Sequence, residues 1–463
     1  MFGLMCVCSS LISWPGEIER ALAWILIIMM FLLGFLPMWA EHRAGTFDIF
    51  NLRNWFVVYF VIQFGFWAVR MLVTGENEFL NNYLGGMDSW QESFAKALAL
   101  CNVGLACFYV GYRSSGGRRL ARAIPALGDN WSRRRVILVA SIMFPMAIVA
   151  FLYLVESFGG ISAWTSQIGA ARTEGIQNNG YEFFVAYYFP TIPALLFYAE
   201  FLKKRRRVDL LLCIAFLITA LTIGALLGYK TFIVFPVLQT LCLHNYLAKR
   251  IKMRARAVAV VVSGLVFLVL YNFFRSLSFT NLDAETLRTI AGSTDLWNDV
   301  SLLFFGRFTG IETVTLVIHR TVDVLPSLGL DSAQYLLTGF IPRSIWPDKI
   351  VPLQGFLQTV YQRTDVGANT TLIGELYFDF RLPGVAVGLY IVGQFCRVCY
   401  EFIRIHRGRS AIMLYSVTLM FMLLIIEAPT VHCSTFLVCF TSTLISLAFV
   451  CTGIPAMTTA GRQ

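Results

Sequence analysis

The sequence predicts an all-α polytopic membrane protein with 11–12 transmembrane helices. Hydrophobic residues make up 57% of the 463 residues and charged residues only 14%, against roughly 25% charged residues in an average soluble protein. Apolar stretches of about 20 residues, the length that crosses a hydrocarbon core, recur along the whole chain. Basic residues gather in short clusters between these stretches, as is typical of cytoplasmic loops. Together these features exclude a soluble enzyme.

Eleven windows are long and apolar enough to predict a transmembrane helix. They are residues 21–40, 52–73, 94–112, 136–155, 183–202, 209–227, 231–247, 257–274, 383–403, 411–427 and 435–453. Residues 1–14 are also apolar but short, and they lack the basic start and the cleavage site of a signal peptide. They predict a twelfth helix, a re-entrant segment or a wrongly assigned start.

Four basic clusters orient the chain, and they lie in residues 113–135, 203–207, 249–256 and 404–409. An even number of predicted helices separates each cluster from the next, so all four are predicted to face the cytoplasm. This distribution accounts for the net charge of +10 and argues against nucleic acid as a partner.

The same topology divides the chain into three parts. Residues 1–274 form an N-terminal transmembrane bundle, residues 275–382 a large outward-facing loop, which is periplasmic if the resemblance described below holds, and residues 383–463 the C-terminal transmembrane helices. Within the loop, residues 300–319 predict an amphipathic helix that lies at the outer membrane surface, because polar residues interrupt an apolar stretch.

Isolated basic residues recur in the segments that are predicted to face outward. They are Arg172, Lys230, Arg275, Arg307, Arg343 and Lys349. One explanation is that each side chain snorkels to the headgroup level. The other is that they converge on an anion such as a diphosphate, whose oxygens suit the planar fork of arginine. The sequence leaves both explanations open.

Two stretches of the predicted loop resemble a known family. Residues 339–349, GFIPRSIWPDK, and residues 374–384, GELYFDFRLPG, resemble the long periplasmic loop of bacterial O-antigen and exopolysaccharide repeat-unit polymerases, the Wzy-type family. The resemblance implies a GT-C-like fold in the bacterial inner membrane with an active site facing the periplasm. The turn at Lys230 departs from many relatives, which carry arginine there, and the paired Arg-x10-Gly loops of some members are not matched.

The resemblance also implies a reaction. Repeat units linked to undecaprenyl diphosphate would be joined into a surface polysaccharide without a metal or other cofactor, and cations would stabilise the leaving diphosphate. Arg343 and Arg172 are the expected catalytic cations, while Lys230, Arg275, Arg307 and Lys349 would bind substrate. Glu375 is the preferred general base over Asp379 and Asp348, although a structural pairing of Glu375 with an arginine is equally compatible with the sequence. Trp346 and Tyr377 would stack on sugars, or anchor the chain at the membrane interface.

Other functions remain open at this stage. An O-antigen ligase would use the same donor, a lipid-linked oligosaccharide transporter would bind the same substrate, and a structural or sensor protein would need no cluster of outer cations. Besides the lipid-linked oligosaccharide and the lipid bilayer, a protein that regulates chain length is a candidate partner. The sequence shows no metal-ligand spacing, and its acidic pair in an outer loop, Glu76 and Glu78, is more typical of a solvated loop.

Overall fold

The computed structural model describes residues 17–74, 90–166, 180–251, 310–321 and 370–452, with single positions at 264, 334, 335, 338, 341 and 346. These residues are almost entirely helical, and no β-strand occurs among them. The helices are α1 (Glu17–Arg43), α2 (Leu52–Phe60), α3 (Trp67–Thr74), α4 (Trp90–Arg113), α5 (Ser115–Ala123), α6 (Arg133–Ser157), α7 (Gly160–Ser166), α8 (Gly180–Tyr188), α9 (Thr191–Lys204), α10 (Arg207–Leu226), α11 (Lys230–Leu247), α12 (Gly310–Thr321), α13 (Leu372–His406), α14 (Arg409–Glu427) and α15 (Pro429–Val450). A π-helix, Val61–Phe66, joins α2 to α3.

Nine helical stretches in the described ranges are long and apolar enough to cross a membrane, so the protein is a multi-pass membrane protein. They coincide with nine of the eleven predicted spans. The predicted span at 231–247 is helical as α11, and the one at 257–274 lies outside the described residues. Large apolar side chains on the outside of the helices, such as Ile142, Val149 and Leu152 of α6, are exposed, as lipid-facing residues are.

The chain forms two compact units that are interleaved in sequence. Unit 1 comprises Met1–Ala123, Phe305–Phe402 and Phe421–Phe436. Unit 2 comprises Ile124–Phe304, Ile403–Met420 and Leu437–Gln463. The predicted division into three consecutive parts stays a prediction.

Unit 1 is built around α4, which packs against α1 and α12. Glycines allow α4 to approach α13 closely: a methyl group on Gly111 would lie 2.0 Å from the Tyr390 carbonyl oxygen, and one on Gly393 would lie 2.1 Å from the Phe108 oxygen. Small residues at such crossings let helix backbones touch inside a membrane. The Phe56 ring stacks on Phe108, with centroids 4.3 Å apart, and thereby attaches α2 to the same core.

Unit 2 has an ion-pair centre at the end of the bundle that carries the basic clusters. The buried Arg409 guanidinium binds Asp129 Oδ1 at 3.0 Å and Glu200 Oε1 at 2.5 Å. The Arg133 guanidinium binds the buried Asp209 carboxylate at 3.1 Å. Lys204 also binds Glu200, at 2.7 Å, so three of the four basic clusters contribute to one end of this unit, as their predicted common side requires.

Helix α12 corrects the interpretation of residues 300–319. Residues 310–318 are all buried, including Glu312, Thr313 and Thr315, and the helix packs against α4 and the π-helix. A helix at the membrane surface would leave one face exposed. The prediction of a surface helix is therefore wrong for the described part of this segment, because its polar residues face other helices of unit 1.

Helix α13 is not one straight helix but two antiparallel arms. A methyl group on Gly388 would lie 2.6 Å from Leu376 Cδ1. In a straight helix these two residues, twelve positions apart, would be separated by about 18 Å along the axis. The chain reverses at Arg381, whose φ of 57° and ψ of −148° are not helical. The span predicted at 383–403 is thus confirmed as the second arm, while residues 372–380 form a short arm that folds back along it.

Candidate functional site

Glu375 lies on the short arm of α13 and is almost completely buried, at 3% exposure. Its Oε1 accepts hydrogen bonds from the hydroxyls of Thr370 and Thr430, the latter at 2.8 Å, and Oε2 accepts one from the Thr430 backbone N–H at 3.2 Å. Thr430 is in the first turn of α15, where the helix dipole favours a carboxylate. Within the described residues no arginine pairs with Glu375, so the structural ion pair considered above is not found there.

The fold-back of α13 places this carboxylate inside the bundle. Glu375 is six residues from the bend at Arg381, or about 9 Å along the arm. Gly384 lets the two arms meet, since a methyl group there would lie 2.4 Å from the Leu376 carbonyl oxygen, and Pro383 cannot supply an N–H to continue the first arm. The sequence RLPG at the bend thus produces the re-entrant arm.

Three further polar side chains follow Glu375 along the same arm. Asp379 is one turn closer to the bend, buried at 5% exposure, and near enough for its charge to act on Glu375. Tyr377 is half-buried, and the Arg381 guanidinium carbon lies 5.5 Å from its ring centroid. The arm therefore carries two carboxylates, an aromatic ring and a cation within seven residues.

A second carboxylate reaches the same region from α14. The Tyr59 hydroxyl of α2 donates a hydrogen bond to Glu427 Oε1, and the Glu427 carbonyl oxygen accepts one from the Thr371 backbone N–H at 2.8 Å. Glu427 and Glu375 are thus joined to each other by the short segment that carries Thr370 and Thr371.

Tyr59 begins a polar stripe that continues along the π-helix and α3 through Gln63, Trp67 and Arg70. Gln63 abuts the start of α12, where a methyl group on Gly310 would lie 2.7 Å from its Cγ. Burial raises the pKa of Glu312 to about 7, while the Trp67 indole and the Arg70 charge act to lower it. The stripe thereby faces carboxylates from two different helices, the half-buried Glu427 and the buried Glu312.

The other sequence-predicted site residues fall into two groups. Lys230 is the first residue of α11 in unit 2; it is half-buried and has an interaction partner, and Trp346 is 40% exposed. Arg172, Arg275, Arg307, Arg343 and Lys349 lie outside the described residues. The convergence of these cations on one anion stays a prediction.

Several residues of the site were missed by sequence reasoning. Arg381, Glu312, Glu427 and Tyr59 each lie within or next to an apolar stretch. A charged residue within or at the end of an apolar stretch is a functional candidate by itself, which is a signal that Glu312 and Glu427 gave. For Arg381 the signal was the proline and glycine that follow it. Nothing in the sequence pattern singled out Tyr59.

A metal site would need several ligating side chains close together, and the described side chains bear on this. They include no group of three or more histidine, cysteine, aspartate or glutamate residues that could hold a metal ion. Glu76 and Glu78 lie outside the described residues. The groups at the site are thus Glu375, held by two hydroxyls and a backbone N–H, and Asp379, with Tyr377 and Arg381 beside them.

Comparison with known proteins gives one match. A family model described as "Domain of unknown function (DUF8712)" matches residues 168–403, about half of the chain and including the whole short arm of α13. No curated protein and no solved structure matches the chain.

Proposed function

Since the chain belongs to the family described as "Domain of unknown function (DUF8712)", a description that names no activity, we propose its function from its own residues. The protein is a glycosyltransferase of the bacterial inner membrane that joins oligosaccharide repeat units carried on undecaprenyl diphosphate. The product is a surface polysaccharide, an O-antigen or exopolysaccharide, and the transfer takes place on the periplasmic side without a metal. The resemblance of residues 339–349 and 374–384 to Wzy-type polymerases supports this proposal.

The observation that carries the proposal is the buried Glu375 carboxylate on the re-entrant arm of α13. An ionisable group inside a membrane protein is expensive to bury and is usually kept for function. Glu375 has no cationic partner among the described residues, and three donors hold it in one orientation. A carboxylate offers about four acceptor positions, so one position, on Oε2, is left for a substrate proton.

This remaining position suits general base catalysis. The acceptor hydroxyl loses its proton to Glu375 as its oxygen bonds to the anomeric carbon of the donor sugar. The bond from that carbon to the diphosphate breaks, and undecaprenyl diphosphate leaves with the electron pair. Asp379, one turn away, keeps a second negative charge near Glu375, which favours uptake of the proton.

The leaving diphosphate needs cations, and Arg381 adds one to those that the sequence predicts. Its guanidinium lies over Tyr377 at the bend of α13, where a sugar could stack on the exposed part of the ring. Arg172 and Arg343 keep their proposed role as catalytic cations, and Lys230, Arg275, Arg307 and Lys349 keep theirs in binding. Arginine retains its charge throughout, so it stabilises the diphosphate more as its negative charge grows.

A transporter of lipid-linked oligosaccharides is the second candidate. One observation favours it: helices that break and fold back inside the membrane, as α13 does, commonly form transport sites. A ligase shares the donor chemistry of the polymerase and differs only in the acceptor. The three activities differ in their products, because only the polymerase lengthens the lipid-linked chain.

The experiment is incubation of the purified protein with its lipid-linked repeat unit, followed by separation of products by chain length. We expect chain growth that survives a chelator, and a loss of about 10²- to 10⁴-fold in rate for Glu375→Gln, the range typical of a general base. Glu156→Gln, at an exposed carboxylate of α6, is the matched control and should keep full activity.

Folding must be checked separately because Glu375 also ties α13 to α15. Thr430→Ser keeps the hydroxyl and the backbone N–H, so it should keep activity, while Asp379→Asn tests the neighbouring charge without disturbing the three hydrogen bonds. Wild-type chain growth in a folded Glu375→Gln protein would refute the role of Glu375. Movement of the intact substrate across vesicles without new glycosidic bonds would favour the transporter.

A further inference from the structure

A second buried polar cluster lies apart from Glu375, where α12 meets the π-helix and α3. Its members are Gln63, Trp67, Arg70 and Glu312. Gln63 has no exposed surface and Glu312 is 3% exposed. The proposed glycosyl transfer uses none of these residues, so their burial needs its own explanation.

The cluster is incompletely hydrogen-bonded. Both amide atoms of Gln63 and the Oε2 atom of Glu312 lack a hydrogen-bond partner in the described part of the chain. The Trp67 indole N–H faces the Glu312 carboxyl without closing a hydrogen bond of good geometry. Leaving such groups unpaired costs about 1 to 3 kcal/mol each, and native proteins keep few of them. Their concentration at one place indicates a group that is bound there at some stage of function.

The local backbone supports a functional role. Gln63 is in the π-helix Val61–Phe66, and π-helical turns occur frequently at functional sites. The start of α12 presses on Gln63 so closely that a methyl group on Gly310 would lie 3.0 Å from its Nε2. Such close packing suits the smallest ligand, a proton, which needs no cavity.

The charged and titratable groups near Glu312 lie on α3, α4, α12 and α13. Arg70 on α3 is the cation whose charge acts on it. On α4, the exposed Lys96 pairs with Glu92 at 2.7 Å, and Ser93 is 3.1 Å from His319 Nδ1 of α12. On α13, Glu375 and Asp379 interact with each other.

Among the described residues, Arg70 is thus the cation whose charge acts on Glu312. Burial raises its pKa to about 7 in spite of Arg70, so the carboxyl changes its protonation state near neutral pH.

We propose that Glu312 is a proton-binding site of unit 1, formed where α12 packs against the π-helix and α3. Deprotonation leaves a carboxylate facing the Trp67 N–H and the Arg70 charge. The step moves one proton between the carboxyl and water, and it needs no other reactant. The proposal stands independently of glycosyl transfer.

The test is an infrared titration of the full-length protein in a detergent that has no carbonyl group. The C=O stretch of a protonated carboxyl is followed between about pH 8 and pH 6, above the range in which exposed carboxyls titrate. The titration is done in the Glu375→Gln background, because Glu375 is a second buried carboxyl of unit 1. There we expect a band with a midpoint near pH 7 that remains when the control Glu156→Gln is added and is lost when Glu312→Gln is added. A band that persists unchanged in Glu312→Gln would overturn the proposal.

Arg70→Gln keeps the test decisive even where Glu312→Gln fails to fold. Removing this cation should move the midpoint of the Glu312 band upward by on the order of one pH unit, because a nearby positive charge stabilises the carboxylate. A purely structural role for Arg70 would alter stability without moving the midpoint. An unchanged midpoint in a folded Arg70→Gln protein therefore counts against the proton site.

Discussion

The Tyr59 hydroxyl donates a hydrogen bond to the Glu427 carboxylate, so the C-terminal end of α2 is bonded to the C-terminal end of α14 inside unit 1. Residues 368 positions apart in sequence thereby fix two membrane-spanning helices to each other. The Glu427 carbonyl oxygen extends this contact to the Thr371 N–H at the start of α13. The bond thus supports the position of the re-entrant arm that carries Glu375.

Replacing Tyr59 by phenylalanine should destabilise the protein by about 1.5 to 3 kcal/mol, the usual range for a hydrogen bond to a charged group. The ring stays and only the donor is lost, so packing is unchanged. The measurement is the apparent unfolding temperature of the purified protein in detergent.

A double-mutant cycle separates the bond from other effects of each change. Glu427→Gln keeps the shape of the side chain but removes its charge. If Tyr59→Phe is as destabilising in the Glu427→Gln background as in wild type, the charge of Glu427 adds nothing to this hydrogen bond, because the glutamine oxygen still accepts from the Tyr59 hydroxyl.

The backbone conformation of Arg381 predicts that its replacement by glycine and its replacement by alanine affect stability differently. Its φ of 57° and ψ of −148° fall near a region that is essentially restricted to glycine, and such a residue stores about 1 to 3 kcal/mol of backbone strain. Arg381→Gly relieves this strain, whereas Arg381→Ala retains it. Arg381→Gly should therefore unfold at a higher temperature than Arg381→Ala, although both lose the cation and should lose polymerisation alike.

The comparison of the two Arg381 variants also tests the fold-back of α13. Equal stability, or a more stable alanine variant, would mean that the chain does not reverse at this residue. A straight helix through residues 372–406 would then be the better description, because alanine is the better helix former by about 1 kcal/mol.

The glycine contacts of α4 give a prediction with an internal control. A methyl group on Gly111 would lie 2.0 Å from the Tyr390 carbonyl oxygen, which is backbone and cannot move aside. Gly111→Ala should destabilise unit 1 by about 1 to 3 kcal/mol through overpacking. Gly180→Ala on α8 meets nothing within 4 Å and should be neutral or stabilising. Thermal unfolding of the two variants measures the difference, and a neutral Gly111→Ala would contradict the close crossing of α4 and α13.

The sequence alone predicts the membrane-spanning helices but not the breaks and the reversal within them. Nine spans could be predicted because hydrophobicity over 20 residues is a local property. The break between α8 and α9, where Phe189 and Pro190 leave the helix, and the reversal at Arg381 each depend on one or two residues inside an apolar window. A window average does not resolve them.

The candidate site, too, could be predicted from the sequence only in part. Glu375 was identified because a carboxylate before a span is conspicuous, yet its partners Thr370 and Thr430 are known only from the packing of α13 against α15. The sequence predicts Glu312 only as one of the polar residues of an amphipathic helix at residues 300–319, because sequence alone does not show that Trp67 and Arg70 lie near its side chain. The predicted diphosphate site at Arg172 and Arg343 stays a prediction, since both lie outside the described residues.

Arg409 is expected to be the most sensitive ionic residue of unit 2. Its guanidinium, 5% exposed, binds Asp129 and the buried Glu200, so Arg409→Ala leaves a carboxylate buried without this partner. Removing one member of a buried pair typically destabilises by about 3 to 5 kcal/mol. Lys96→Ala breaks the exposed pair with Glu92 and should change stability by less than about 0.5 kcal/mol. Unfolding temperatures that fall equally in both variants would contradict the difference in burial.

The pH dependence of stability follows from the pKa of Glu312. Because burial raises the folded-state pKa from 4.5 to about 7, the folded protein binds more protons than the unfolded chain between these values. Stability from this group is fully present below about pH 4.5 and is lost as the pH rises through 7. The loss amounts to no more than about 3 kcal/mol. Glu312→Gln cannot titrate, so its unfolding temperature should fall less than that of wild type between pH 5 and pH 8, and parallel curves would show that Glu312 does not change its charge in this range.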